Sequence, residues 1–135
     1  MQTRFIHSVS QYTVAFVWIW HGLVPKLLME HPDEYTPLLA MGIDQPTANI
    51  IVAASGYGEI AFGLLIIILG KTRWPYYLTI IGMSGLLLGV FFTSPELTLE
   101  AFNPVTLNIL MIMMAVIAIL SSQGPSRTDT SSIHS

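Results

Sequence analysis

Residues 56–69 read GYGEIAFGLLIIIL, and Glu59 lies in the middle of the apolar run 48–70 that contains them. A run of that length crosses a bilayer as one helix. A carboxylate at mid-span costs about 3 kcal/mol on insertion scales, so it calls for a partner or a task. The stretch therefore predicts a membrane protein with a polar interior. Gly56, Glu59 and Gly63 follow i, i+3, i+7, with Ser55 one turn before the carboxylate. A face of small residues packs closely on another helix, so Glu59 is expected to point into a bundle and not toward lipid.

Three more apolar segments flank this one. They cover about residues 5–28, 75–93 and 104–120, with the second span at 48–69, and each is near the ~20 residues a helix needs to cross. Pro46, Pro75 and Pro104 each fall in the first turn of the following helix, where a missing N–H is harmless. Gly70 and Gly124 follow the ends of helices two and four, as C-terminal glycines do. Thr36-Pro37 opens a short interfacial helix, and Ser94-Pro95 opens a second short segment. The reading is an all-α, four-span domain over residues 1–121. The first helix is retained, since its apolar run ends in Pro25-Lys26 and not at a small-x-small cleavage site. Residues 122–135 are rich in Ser and Thr and read as a disordered tail.

The bulk numbers agree. The chain of 135 residues is 53% hydrophobic and 10% charged, where soluble domains carry about 25% charged residues. A net charge of −3 gives no basic surface for nucleic acid. The lack of cysteine excludes dithiol redox centres, iron–sulfur ligation and disulfides within the chain. With four spans, Arg4, Lys71, Arg73 and Arg127 share one side and Lys26 stands alone on the other. That bias places both termini in the cytoplasm.

The candidate site follows from depth. His21 and Glu59 differ by about 6 Å in depth if helix one rises and helix two descends. A hydrogen bond between them is expected, direct or through water. Pro25 cannot donate to the carbonyl of residue 21, which predicts a kink and a free acceptor there. Asn108 enters at the outer third of helix four, and Lys26 stands nearby at the outer end of helix one. Trp18 or Trp20 is placed to stack a flat ligand. Trp18, His21, Lys26, Glu59 and Asn108 are the candidate ligand-binding residues, around a cavity that also touches Gly22. Plainer roles are open to each: a buried histidine can bond a neighbouring helix, and a lysine near a helix end can snorkel to the headgroups. Gly56, Gly63, Gly85 and Gly89 are the candidate helix-packing glycines, the last two forming GxxxG. Haem is not expected, because His7 and His21 share one helix and the other spans carry no histidine. A metal is not expected either, with so few ligands.

The W-x-x-H-G-L-x-P-K-L stretch at 18–27, G-x-G-E-x-x-x-G at 56–63 and F-N-P-V-T-L-N at 102–108 resemble the DoxX-like membrane proteins. The resemblance implies a four-helix bundle in the bacterial inner membrane. Some relatives are linked to sulfur or quinone redox chemistry as membrane subunits, and others are similar in shape to assembly factors. The resulting expectation is a small inner-membrane subunit that binds an amphipathic ligand, with quinone as the candidate, beside a redox partner or a second copy. A quinone needs an apolar slot and donors for its carbonyls, with Glu59 as proton relay. The rivals are a non-enzymatic assembly or chaperone factor and a small proton-coupled transporter.

Overall fold

The structure is a computed structural model that describes residues 2–99 and 103–122. These residues are helical throughout, with no strand among them. Helix α1 spans Gln2–His21 and continues into a π-helical stretch, Gly22–Leu28. Then follow α2, Pro32–Ala40, α3, Gln45–Leu69, and α4, Trp74–Thr93. A 3₁₀ turn, Pro95–Leu99, precedes α5, Pro104–Ser121. The tail assigned to 122–135 lies outside the described residues except for Ser122.

Each start has a local cause. The Asp44 carboxylate accepts from the Thr47 amide at 3.3 Å and the Thr47 hydroxyl at 2.8 Å, which caps α3. Those bonds hold the Asp44 carboxyl below the usual carboxylate range. Asn103 caps α5 by accepting from the Thr106 amide at 3.0 Å. His31 caps α2 through Nδ1, so this helix starts at Pro32, four residues before the expected Thr36, and Pro37 falls in its second turn.

The π stretch answers Pro25. In π winding the bonds run i→i−5, so the partner of residue 21's carbonyl becomes residue 26 and no N–H is asked of residue 25. Met29 N–H bonds Val24 O on the same spacing, at 2.9 Å. The kink expected at Pro25 is therefore taken up as a widened turn, and the acceptor expected to be free at residue 21 is not left over. Beyond Leu28 the chain turns by 84° into α2.

In space the long helices run α3–α1–α5–α4. Helix α1 packs on α3 and α5, α5 packs on α4, and α2 lies across one end against α3 and α4. Helices α3 and α4, neighbours in the chain, hardly touch. Val14, Ala15, Trp18, Ile66, Tyr76, Met83, Met111 and Ala115 form the core. The outside is apolar: Ile50, Ile68, Phe92, Leu88 and Leu110 are all exposed. A soluble monomer does not carry so continuous an apolar surface. Helices α3, α4 and α5 are long and apolar enough to cross a membrane, and the bent pair of α1 with its π stretch and α2 makes a fourth span if counted as one.

The packing glycines divide. A Cβ on Gly22 would run into the backbone carbonyl of Gly56, and one on Gly63 would lie 2.6 Å from Ile19 Cγ1 and 2.8 Å from Ala15 O. Gly56 and Gly63 thus seat α3 on α1, with Gly22 as their counterpart. Gly85 and Gly89 pack on no other described helix of the chain: nothing lies within 4 Å of their Cβ positions. Their side of α4 faces outward, because α3 does not come over to cover it.

At the end away from α2, polar side chains stitch the helices through backbone carbonyls. His7 places Nδ1 3.0 Å from Ala118 O and Nε2 2.8 Å from Gly70 O. Tyr76 donates to the same Gly70 carbonyl at 2.8 Å, and Gln11 Nε2 donates to Ile66 O and Ile67 O. Tyr76 is wholly buried, so its hydroxyl has no water to fall back on. Tyr76→Phe is expected to lower stability by about 1 kcal/mol without changing the fold, because His7 still serves Gly70 O. Denaturant unfolding in mild detergent checks this.

Candidate functional site

The polar residues of the other half converge. Trp18, His21 and Lys26 come from α1 and its π stretch, Glu59 from the middle of α3, and Asn108 from the second turn of α5. All five line one cavity, closed on its apolar side by Val17, Met83, Leu86, Leu107 and Met111. Gly22 is not on its wall; it sits behind, against Gly56. The cavity has about 40 Å³ of room for the centres of water-sized molecules. At about 15 Å³ per water, that holds two or three.

The central interaction was not expected. Lys26 Nζ lies 2.6 Å from Glu34 Oε2 and 3.2 Å from Glu59 Oε1, and its side chain is only 12% exposed. Lys26 therefore does not snorkel outward; it turns in and joins α2 to α3. Glu34 is the residue that sequence reasoning missed. It lies in the first turn of α2, ahead of where the sequence opens the interfacial helix, and only the 84° turn after the π segment returns it to Lys26. The spacing from residue 26 to residue 34 gives no helical signal, so the sequence offered no sign of it.

The expected His21–Glu59 hydrogen bond is absent among the described residues. The carboxylate has gone to the ammonium instead, a stronger partner than a neutral imidazole. His21 and Asn108 are left facing the cavity with no hydrogen bond to a described residue. Glu59 Oε2 is buried and also unpartnered. Trp18 is placed differently. Its indole N–H donates to Thr79 Oγ1 at 3.1 Å, and its ring meets Phe62 edge-on at 5.1 Å between centroids. Its N–H is spent on α4, and only its ring is free to face a guest. Trp20 points away, half exposed beside Phe16.

A second hollow shares two of these residues. Trp18, Ser55, Gly58, Glu59, Phe62 and Leu78 line an open groove of about 300 Å³. It lies where α3 and α4 fail to meet, so it faces the outside of the bundle. Trp18 and Glu59 stand between this groove and the more enclosed chamber.

Apolar helices around an ion-paired chamber define a small helical membrane protein. The chain matches the DoxX-like family over residues 15–116 and belongs to that family. The match covers Trp18, His21, Lys26, Glu59 and Asn108. No curated protein and no solved structure matches the chain.

Proposed function

We propose that this protein binds an amphipathic small molecule within the membrane, as a non-catalytic subunit or carrier. The polar head enters the chamber and the apolar body lies in the groove between α3 and α4. One observation carries the reading: Trp18 and Glu59 border both a partly enclosed chamber with polar groups on its wall and a more open apolar groove. Unspent polar groups at His21, Asn108 and Glu59 Oε2 support it, because a half-satisfied network in a low-dielectric interior is costly unless something completes it. The chamber's size favours a head of a few heavy atoms over a whole quinone ring, so a quinone would keep its ring in the groove. Association with a redox partner rests on the family resemblance alone.

Native mass spectrometry from mild detergent tests the reading. A small amphiphile of defined mass is expected on the wild type and missing from Glu59→Leu. Recovery of a membrane-protein client with no small molecule would overturn it. That outcome would favour the second reading, an assembly factor. Gly58, Gly85 and Gly89 support that alternative, since each leaves an uncovered small-residue face on α3 or α4.

The same proposal places the protein in a bacterial inner membrane, with both termini in the cytoplasm and the chamber in the periplasmic half. Lys71 and Arg73 at the α3–α4 turn support this orientation, as Lys26 is held inside by carboxylates. A cysteine at Lys71 is expected to resist an impermeant thiol reagent in whole cells and to react once the membrane is opened. Labelling from outside would reverse the orientation.

A further inference from the structure

We propose that the head group taken by this chamber is cationic, a protonated amine bearing N–H donors. The inference rests on the amphiphile-binding reading and names its ligand class.

Charge is the first argument. Two carboxylates, Glu34 and Glu59, share one ammonium, Lys26. With both carboxylates ionised and His21 neutral, the cluster carries one negative charge more than it balances. An anionic head would face Glu59 at close range. Lys26 offers such a head little, since its ammonium already lies against two carboxylate oxygens.

Hydrogen-bond direction is the second. Glu59 Oε2 is buried with no partner, and an ionised carboxylate oxygen only accepts. What it lacks is a donor. A neutral His21 offers one accepting and one donating ring nitrogen, Asn108 an accepting carbonyl and a donating amide, and both line the same chamber without described partners. An ammonium with two or three N–H groups answers these acceptors together. A carbonyl head can accept only from the N–H groups of His21 and Asn108, and leaves the Glu59 oxygen without a donor.

Ring placement is the third. Trp18 has its N–H tied to Thr79, which holds the indole in place beside Glu59. An indole face attracts cations within about 6 Å of its centroid, and more so away from water. The chamber's ~40 Å³ suits an ammonium and a water or two, and the alkyl chain leaves through the groove past Phe62.

The test uses Trp18 fluorescence in nanodiscs, with Trp20→Phe and Trp74→Phe leaving a single indole. Octylamine, octanol and octanoate are titrated at neutral pH. Octylammonium is expected to bind at least tenfold more tightly than the other two, and Glu59→Gln to erase that preference. Equal or tighter binding of octanol or octanoate would overturn the cation inference and leave an amphiphile site standing. If none of the three changes the Trp18 signal, the amphiphile reading falls, and this inference with it. The three-probe comparison leaves the chamber's own side chains intact, so it decides even where Glu59→Gln fails to fold.

Discussion

Lys26→Met is expected to be among the most damaging single substitutions in the chain. It removes the only described partner of Glu59 and the ammonium that ties Glu34 of α2 to the bundle. Glu59 is left as a buried carboxylate with neither oxygen paired, its side chain 13% exposed. Removing one partner of a buried ion pair costs about 3–5 kcal/mol, because the survivor stays desolvated. Unfolding in mild detergent should show a loss of that size. The double variant Lys26→Met with Glu59→Leu should recover part of it, since the buried Glu59 charge is gone while Glu34 still lacks its ammonium. A small loss in the single variant, or no recovery in the double, would mean that the pair does not hold α1 to α3. Recovery in the double would separate stability from binding, because that variant would fold without the carboxylate that takes the polar head.

Gly22→Ala is expected to disturb the bundle out of proportion to one methyl group. Its Cβ would run into the Gly56 carbonyl and sit 3.0 Å from Glu59 Cβ and from Ile60 Cγ1. A backbone oxygen cannot rotate aside, so α1 and α3 must separate. Overpacking of this kind costs about 1–3 kcal/mol, and here the movement also spreads the Lys26–Glu59 pair. Gly85→Ala and Gly89→Ala serve as controls and should match the wild type or gain up to about 1 kcal/mol, as their Cβ positions meet nothing and alanine is the better helix former. Unfolding midpoints and the yield of monodisperse protein measure both. A Gly22→Ala variant as stable as the controls would show that α1 and α3 have room to spare.

The contrast between those glycines shows where the sequence can be read and where it cannot. Glu59, Gly56 and Gly63 share one helical face, and the period of an α-helix is local information. The depth of His21 and Asn108 is also local, counted from prolines and span ends. That is why five residues from three helices could be gathered before any coordinates. GxxxG at Gly85–Gly89 is an equally good local pattern, but its meaning depends on whether another helix arrives. Helix α3 does not arrive, and no count of residues along α4 could say so. Glu34 fails for a similar reason: its position follows from the direction the chain takes after Leu28. His7 could be dismissed as a haem ligand from sequence, but its bonds go to the carbonyls of Gly70 and Ala118. Backbone acceptors carry no residue letter and leave no motif. Pro25 announced a disruption, yet a kink, a break and a widened turn are three answers to one missing N–H.

The answer taken at Pro25 makes the chain's length there matter more than its letters. A π-wound segment holds more residues per turn than an α-helix of the same rise. Deleting one residue from 22–28 would let the backbone relax to ordinary α-winding, which covers nearly the same rotation with one residue fewer, so the chain beyond would keep its direction. An inserted residue has no such spare winding to absorb it, and would swing α2 by about 100°, taking Glu34 with it. A substitution along this stretch changes one side chain, but a single-codon insertion would turn α2 and its carboxylate away from Lys26 in one step.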